Sequence, residues 1–117
     1  MSVKAYPLQV RTKIFAISVI SLVRGLKVSH LNSNIVQQLL RSSSSVGANY
    51  HEASETDTKK DFANKIRIAR KEAKESVYWC DLLLETVGPD HRLSISEIKD
   101  ESSQLVKILA AIYEKSK

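Results

Sequence analysis

The residues best suited to chemistry lie in one stretch, residues 58–87, where basic side chains recur at spacings that fall on one flank of a helix. Clustered cations on one helical face are typical of proteins that contact phosphate groups. We therefore predict a nucleic-acid-binding surface and call it the basic flank. The basic flank comprises Lys59, Lys60, Arg67, Arg70, Lys71 and Lys74. Second candidates for the same role, near the N-terminus, are Arg11, Lys13, Arg24 and Lys27.

A second set of residues is a candidate subunit interface or polar network. Asp61, Glu72 and Glu75 fall opposite the basic flank on a helical projection, so the two flanks are complementary in charge between copies of the chain. A head-to-tail contact of this kind closes into a ring when the rotation permits. Polar residues also recur every three or four positions between 38 and 52, which fits either a partly buried network or a wet helix face. The candidates are Arg41, Asn49, Glu52, Asp61, Glu72, Glu75 and Trp79.

Two adjacent aromatic residues, Tyr78 and Trp79, lie in the last third of the stretch that ends at residue 87. Base stacking would favour aromatics interleaved with basic residues. Here Glu75 and Asp81 flank them instead, so we predict that they cover the edge of the core or a subunit contact, where aromatics are favoured.

Catalytic and metal-binding motifs are missing from the sequence. The three histidines form no paired motif at helical spacing, and no carboxylate lies three residues before a histidine, which excludes the di-iron bundle signature. There is no cysteine pair for zinc and no glycine-rich phosphate loop. His51 and Glu52 are neighbours, but adjacent helical side chains point in different directions. The sequence therefore predicts a protein that is not an enzyme and needs no cofactor or metal.

Composition and charge indicate an ordinary globular domain spanning residues 1–117. Hydrophobic residues make up 43% and charged residues 26%, and the net charge is +5, which permits contact with nucleic acid without requiring it. The single cysteine, Cys80, excludes an internal disulfide and fits a reducing, cytoplasmic compartment. The N-terminus does not resemble a secretory signal, and the apolar run at residues 14–23 is too short to span a bilayer, so we expect no membrane contact.

Four amphipathic helices account for the chain, because apolar residues recur every three or four positions and Gly and Pro are few. We predict helices at residues 7–27, 32–54 and 57–87, with a capping box from Thr58 to Asp61 starting the third. Residues 88–93 read as a loop, and a second capping box, Ser94 with Glu97, predicts the start of the fourth helix. Short connections between four such helices favour an all-α, antiparallel up-down four-helix bundle.

The first helix is apolar over more than one face. Beyond the core face, Ile17, Ile20 and Val23 widen the apolar surface, which in a small domain points to a subunit interface. The serine run at residues 42–45 resembles a linker, but the apolar pattern continues in phase on both sides of it. We therefore keep it inside the second helix, where small residues let helices approach closely.

Two motifs resemble a known family. Residues 42–53 read SSSSVGANYHEA and residues 60–79 read KDFANKIRIARKEAKESVYW. They are similar to motifs of the bacterial four-helix bundle proteins related to those encoded in intervening sequences of 23S rRNA genes. The matching residues are Ser45, Gly47, Ala48, Asn49, Glu52, Ala53, Lys60, Asp61, Phe62, Lys65, Ile68, Ala69, Lys71, Glu72, Ala73, Glu75, Tyr78 and Trp79, with mild departures at Val46, Tyr50 and Ser76.

The resemblance implies a four-helix bundle that assembles as a homopentameric ring. Distant relatives are accessory proteins of diversity-generating retroelements, in which a basic ring binds nucleic acid and a reverse transcriptase. Most members have no established activity. Sequence and resemblance together predict a non-enzymatic homo-oligomeric scaffold that binds RNA, DNA or a nucleic-acid-bound protein. The alternative is a purely structural or protein-binding oligomer, whose basic residues pair with acidic residues across the ring.

Overall fold

Helices form nearly all of the protein in a computed structural model, which describes residues 3–117. Within that range a 3-10 turn, Val3–Ala5, precedes four α-helices, and there is no strand. The helices are α1 (Leu8–Gly25), α2 (Ser33–Ala53), α3 (Lys59–Leu84) and α4 (Pro89–Ser116). Met1 and Ser2 lie outside the described range. They are the first residues of the predicted domain and of the N-terminal segment that does not resemble a secretory signal.

Each helix runs antiparallel to its neighbours, as the cross-helix contacts show. Along α2 and α3, Arg41 contacts Glu72 whereas Glu52 contacts Lys65, so the residue numbers run in opposite directions. Between α3 and α4, Asp81 pairs with Lys99 at one end and Arg70 lies against Tyr113 at the other. Helix α1 packs against α2 and α4. The predicted all-α four-helix bundle is therefore confirmed.

All four helices contribute side chains to one apolar core cluster. Small residues bring α3 close to its neighbours: Ala69 and Ala73 are fully buried, and Ser42 Oγ lies 2.8 Å from Ser76 Oγ across the α2–α3 contact. Ser102 Oγ donates to the carbonyl oxygen of Ala73 at 2.6 Å, which ties α4 to α3. The largest apolar side chains that are fully buried in the core are Phe15, Val19, Leu39, Val46, Ile66, Leu83, Ile95, Leu105 and Leu109.

Helix α1 approaches α2 closely at one glycine. A Cβ atom on Gly47 would lie 3.1 Å from Thr12 Oγ1 and 3.3 Å from Thr12 Cβ. Thr12 is buried and its side chain donates to the carbonyl oxygen of Gln9, so it has little freedom to move. Gly47 therefore permits the close approach of α1 to α2. The serine run lies inside α2, as the sequence predicted.

The start of α4 differs from the prediction. Residues 89–93 are helical, not a loop, because Pro89 occupies the first turn of α4 after Gly88. Proline suits that position, since the missing N–H would have no helical partner there and the ring fixes a helical φ. Ser94 and Glu97 thus lie inside the helix and form no cap. The Thr58 cap of α3 is confirmed, with its side-chain oxygen accepting from the Asp61 N–H at 3.0 Å.

The buried face of α3 leaves two of its large apolar side chains at the edge of the core. Ala63, Ser76 and Leu83 are buried, whereas Phe62 and Leu84 are only partly buried at the edge of the core. On α1, the second apolar side is not covered by this chain. Ile17 remains 50% exposed and Ile20 46% exposed.

Candidate nucleic-acid interface

The basic flank lies along a surface groove between α3 and α4. Three successive depressions form this α3–α4 groove: the first two share Arg67, and the second and third share Lys74 and Val106. Cations line it from end to end, and Asp61 and Asp81 are its carboxylates. The cations are Lys59, Lys60, Arg67, Arg70, Lys71, Lys74, Lys107 and Lys117. The fold therefore adds two cations to the predicted set, Lys107 of α4 and Lys117 directly after it.

The charges of the basic flank are not neutralised within the described chain. Across residues 3–117, none of its six side chains comes within 4.0 Å of a carboxylate oxygen. Arg67 donates to Asn64 Oδ1 at 3.1 Å, and the Arg70 guanidinium lies 5.2 Å from the centre of the Tyr113 ring. Both contacts hold the guanidinium groups in place without cancelling their charge, so the groove presents a concentrated positive field.

Asp61 lies outside the contacts that Glu72 and Glu75 make with Arg41. It is exposed and lines the groove beside Lys59 and Lys60 at the start of α3. Asp61 instead places a negative charge near the helix N-terminus, where it is favoured.

The acidic flank itself is occupied by contacts within the chain. Arg41 reaches from α2 to both carboxylates: Nη1 lies 2.9 Å from Glu72 Oε2, and Nη2 pairs with Glu75. The Trp79 indole N–H donates to Glu75 Oε2 at 2.9 Å, and Arg41 Nε donates to Gln38 Oε1 at 3.0 Å. We call Arg41, Glu72, Glu75 and Trp79 the α2–α3 network.

The other predicted interface residues lie apart from this network. Glu52 accepts from Lys65 Nζ at 2.8 Å. This contact lies about three turns from Arg41 along the same pair of helices. Asn49 Nδ2 donates to the Ser45 carbonyl oxygen of its own helix at 2.8 Å. Both contacts are local, so the stripe of polar residues on α2 divides into one network, one ion pair and one side-chain-to-backbone bond.

A buried ion pair between α1 and α4 was not predicted. Arg11 donates to Glu101 through Nε at 2.8 Å and through Nη2 at 2.7 Å, and Nη2 also donates to Gln104. The hydrogen bond to Glu101 raises the pKa of Arg11 further. Arg11 is therefore engaged inside the bundle and is removed from the second set of phosphate-binding candidates. A separation of 90 residues left no signal in the sequence.

Cys80 is an inert thiol in the folded protein. It is fully buried on α3, and burial raises its pKa to about 12, with Asp81 adding to the rise and Lys99 opposing it. A thiolate is the reactive form, so the folded protein offers no nucleophile here. Among residues 3–117 no cluster of His, Cys, Asp and Glu is arranged to hold a metal ion.

No helix within residues 3–117 combines the length and apolar character that a bilayer span requires. The described chain thus has two distinctive exposed surfaces. One is the cation-rich α3–α4 groove, and the other is the apolar side of α1. The groove carries cations without ion-pair partners in the described chain, whereas the α2–α3 network and the Arg11–Glu101 pair join neighbouring helices.

Comparison with known proteins gives two findings. Residues 9–111 match the family model described as 23S rRNA-intervening sequence protein. A crystal structure of a protein with unknown function, from the S23 ribosomal protein family of Bacteroides thetaiotaomicron, superposes with a TM-score of 0.76 at 31% sequence identity. The superposition covers 92% of this chain and 98% of that chain. No curated protein sequence matches this one.

Proposed function

The chain belongs to the family of 23S rRNA-intervening sequence proteins, and from this premise we propose that it is a non-enzymatic, homo-oligomeric scaffold that binds nucleic acid through the α3–α4 groove. The relative of known structure has unknown function, so the family alone supplies no activity. The proposal depends on the surface of this chain.

One observation carries the proposal: the basic flank has no ion-pair partner within the described residues, although α3 also bears carboxylates. Glu72 and Glu75 turn to α2 and pair with Arg41, so they leave the cations of the groove unopposed. Unpaired cations aligned along one groove attract a polyanion, and their release of counterions from phosphates supplies most of non-specific affinity.

Self-association would use another surface, the second apolar side of α1. Ile17 and Ile20 are about half exposed, and Val10 continues the same exposed side. Contiguous apolar surface of this kind is typical of protein contacts. We propose that copies meet there, in the pentameric ring that the family resemblance implies. Helices α1 and α3 do not pack together, so the apolar side of α1 and the α3 face of the groove are separate surfaces of the bundle.

The test is a titration of the purified protein into a labelled RNA that has both a hairpin and a single-stranded tail, at several salt concentrations. Light scattering fixes the particle mass beforehand. We expect saturable binding whose logarithmic affinity falls steeply with the logarithm of salt concentration, because several phosphates are neutralised. Absence of binding even at low salt would contradict the proposal.

A pair of charge-reversal variants separates this function from the alternative, a structural oligomer held together by charge pairs. Arg67→Glu with Lys71→Glu should abolish RNA binding and leave the particle mass unchanged. Arg92→Glu with Lys115→Glu changes the net charge equally on exposed residues of α4 that do not line the groove, and should retain most of the affinity. If the first variant instead becomes monomeric, the basic flank is a subunit interface and the alternative is correct.

A further inference from the structure

We propose that the α3–α4 groove is a single-strand site, in which an unpaired base of RNA or DNA stacks on the ring of Tyr113 while the flanking cations bind the phosphates. This inference rests on the proposed function and refines it. It names the form of nucleic acid that is bound and the residue that distinguishes it from a duplex.

Tyr113 is the aromatic residue of the groove that is surrounded by cations. Its ring lines a cavity of about 730 Å³ together with Lys59, Lys60, Arg67 and Lys117. The Arg70 guanidinium lies 5.2 Å from the ring centre and Lys117 Nζ lies 5.9 Å from it. An aromatic ring placed among phosphate-binding cations is the combination that single-strand-binding proteins use.

The ring is held in place before any ligand arrives. Tyr113 is only partly exposed and packs against the core, so it has few rotamers to lose on binding. Arg70 fixes the ring further through its cation–π contact. Lys117, by contrast, also pairs with Glu114 at 3.2 Å, and both of those side chains are more than half exposed. Lys117 can therefore move aside and leave the ring accessible to a base.

A duplex cannot use this ring. In a duplex each base face is covered by its neighbours, whereas an unpaired strand offers base faces for stacking on aromatic side chains or guanidinium groups. A duplex would reach only the exposed lysines at the rim.

The other aromatic near the groove is less suited. Tyr78 is 56% exposed, and its ring meets Trp79 edge-on with the centroids 5.1 Å apart. Asp81 lies beside it and repels phosphate, although its charge is partly offset by Lys99 at 2.6 Å. Trp79 turns its indole N–H to Glu75 in the α2–α3 network. Tyr113 is thus the stacking residue, and Tyr78 is not required.

The experiment measures fluorescence anisotropy of labelled oligouridine and oligothymidine, each alone and annealed to oligoadenosine, with the full-length protein. We expect tighter binding of the single strands. Tyr113→Leu should weaken single-strand binding about ten-fold, the size of effect seen when one stacked base is lost, and should leave duplex binding unchanged. Tyr113→Phe retains the ring and should bind as the wild type does. Tyr6→Leu, at an exposed tyrosine outside the groove, is the matched control.

A second measurement on the wild-type protein does not depend on the folding of a variant. Oligouridine carrying one 2-aminopurine should lose fluorescence on binding, because that base is quenched when it stacks on an aromatic ring. Equal affinity for strand and duplex, with no quenching, would overturn the single-strand site and leave the proposed function intact. No binding of either form would overturn both. Preference for uridine over thymidine strands, or the reverse, identifies which single strand is the ligand.

Discussion

The two flanks of α3 carry opposite charges and use them in different ways. On the side that faces α2, Glu72 and Glu75 are 13% and 30% exposed, and Arg41 and Trp79 satisfy them. On the side that faces α4, the basic flank has no ion-pair partner in the described chain and opens to solvent along a groove. Charge by itself therefore does not reveal the role of a residue. The presence or absence of a partner does.

The difference follows from what α2 and α4 offer to α3. Helix α2 presents one arginine whose fork-shaped guanidinium reaches two carboxylates one turn apart, a geometry that lysine cannot reproduce. Helix α4 presents Val106, Ala110 and Tyr113 to the basic flank, together with the cations Lys107 and Lys117, and so provides little to neutralise it. One flank stabilises the fold and the other is available to a ligand.

The largest expected effect on stability comes from removing the arginine of the α2–α3 network. Arg41→Ala leaves Glu72 and Glu75 partly buried without their cation, which should lower the free energy of unfolding by about 2 kcal/mol. Urea unfolding monitored by Trp79 fluorescence measures it. Arg24→Ala, at an exposed arginine of α1, is the control and should change stability by less than about 0.5 kcal/mol. Equal stability of the two variants would show that the network contributes nothing.

That network was only partly predictable from the sequence. The spacing of residues 41, 72, 75 and 79 placed them on facing sides of α2 and α3, and the register of the bundle then brought them together. The same reasoning could not find the contact of Arg11 with Glu101, because nothing local marks a pairing between helices at opposite ends of a chain. Cross-helix distances are set by packing, which periodicity does not encode.

The helices themselves were largely predictable, since apolar periodicity and the Thr58 cap are local signals. The start of α4 was not, because Gly88 and Pro89 fit equally well the end of one helix and the first turn of the next. The groove was predictable on its α3 side alone. Its α4 side, and with it Tyr113, became visible only when the structure showed which residues face the basic flank.

Cys80 lies on the buried face of α3, between the two flanks, and gives an effect of intermediate size. It makes the free energy of unfolding depend on pH. Because the pKa of Cys80 is about 12 in the folded protein and 9.0 in a solvated thiol, only the unfolded chain ionises as the pH rises above 9. The folded state is therefore destabilised between pH 9 and 12, by about 1.4 kcal/mol at pH 10. Below pH 9 the thiol is protonated in both states and has no effect.

Urea unfolding of the wild type and of Cys80→Ala at pH 7.5 and pH 10 isolates this contribution from that of lysine and tyrosine. The wild type should lose about 1.4 kcal/mol more than the variant between the two values. An identical loss in both proteins would mean that Cys80 is ionised as easily in the folded state, and hence that the face between the flanks is wetter than the structure indicates.

The smallest effect has the opposite sign and tests the basic flank as a feature of the fold. Arg67 and Lys71 are four residues apart, as are Arg70 and Lys74, and like charges at that spacing destabilise a helix by about 0.2–0.5 kcal/mol per pair. Lys71→Ala should therefore raise the free energy of unfolding by a few tenths of a kcal/mol at low salt, and salt should erase the gain. Lys13→Ala has no cation three or four residues away within α1 and should show no such gain.

A loss of stability in Lys71→Ala would mean that the basic flank contributes to the contacts that hold the bundle together, as the α2–α3 network does. A gain would mean that the two flanks of α3 have different roles. Side chains that repel one another in the free protein are relieved when phosphates lie between them, so the repulsion that weakens the isolated fold adds to the affinity for a polyanion. Repeating the urea series with oligouridine present should then reverse the order, with the wild type stabilised more than Lys71→Ala.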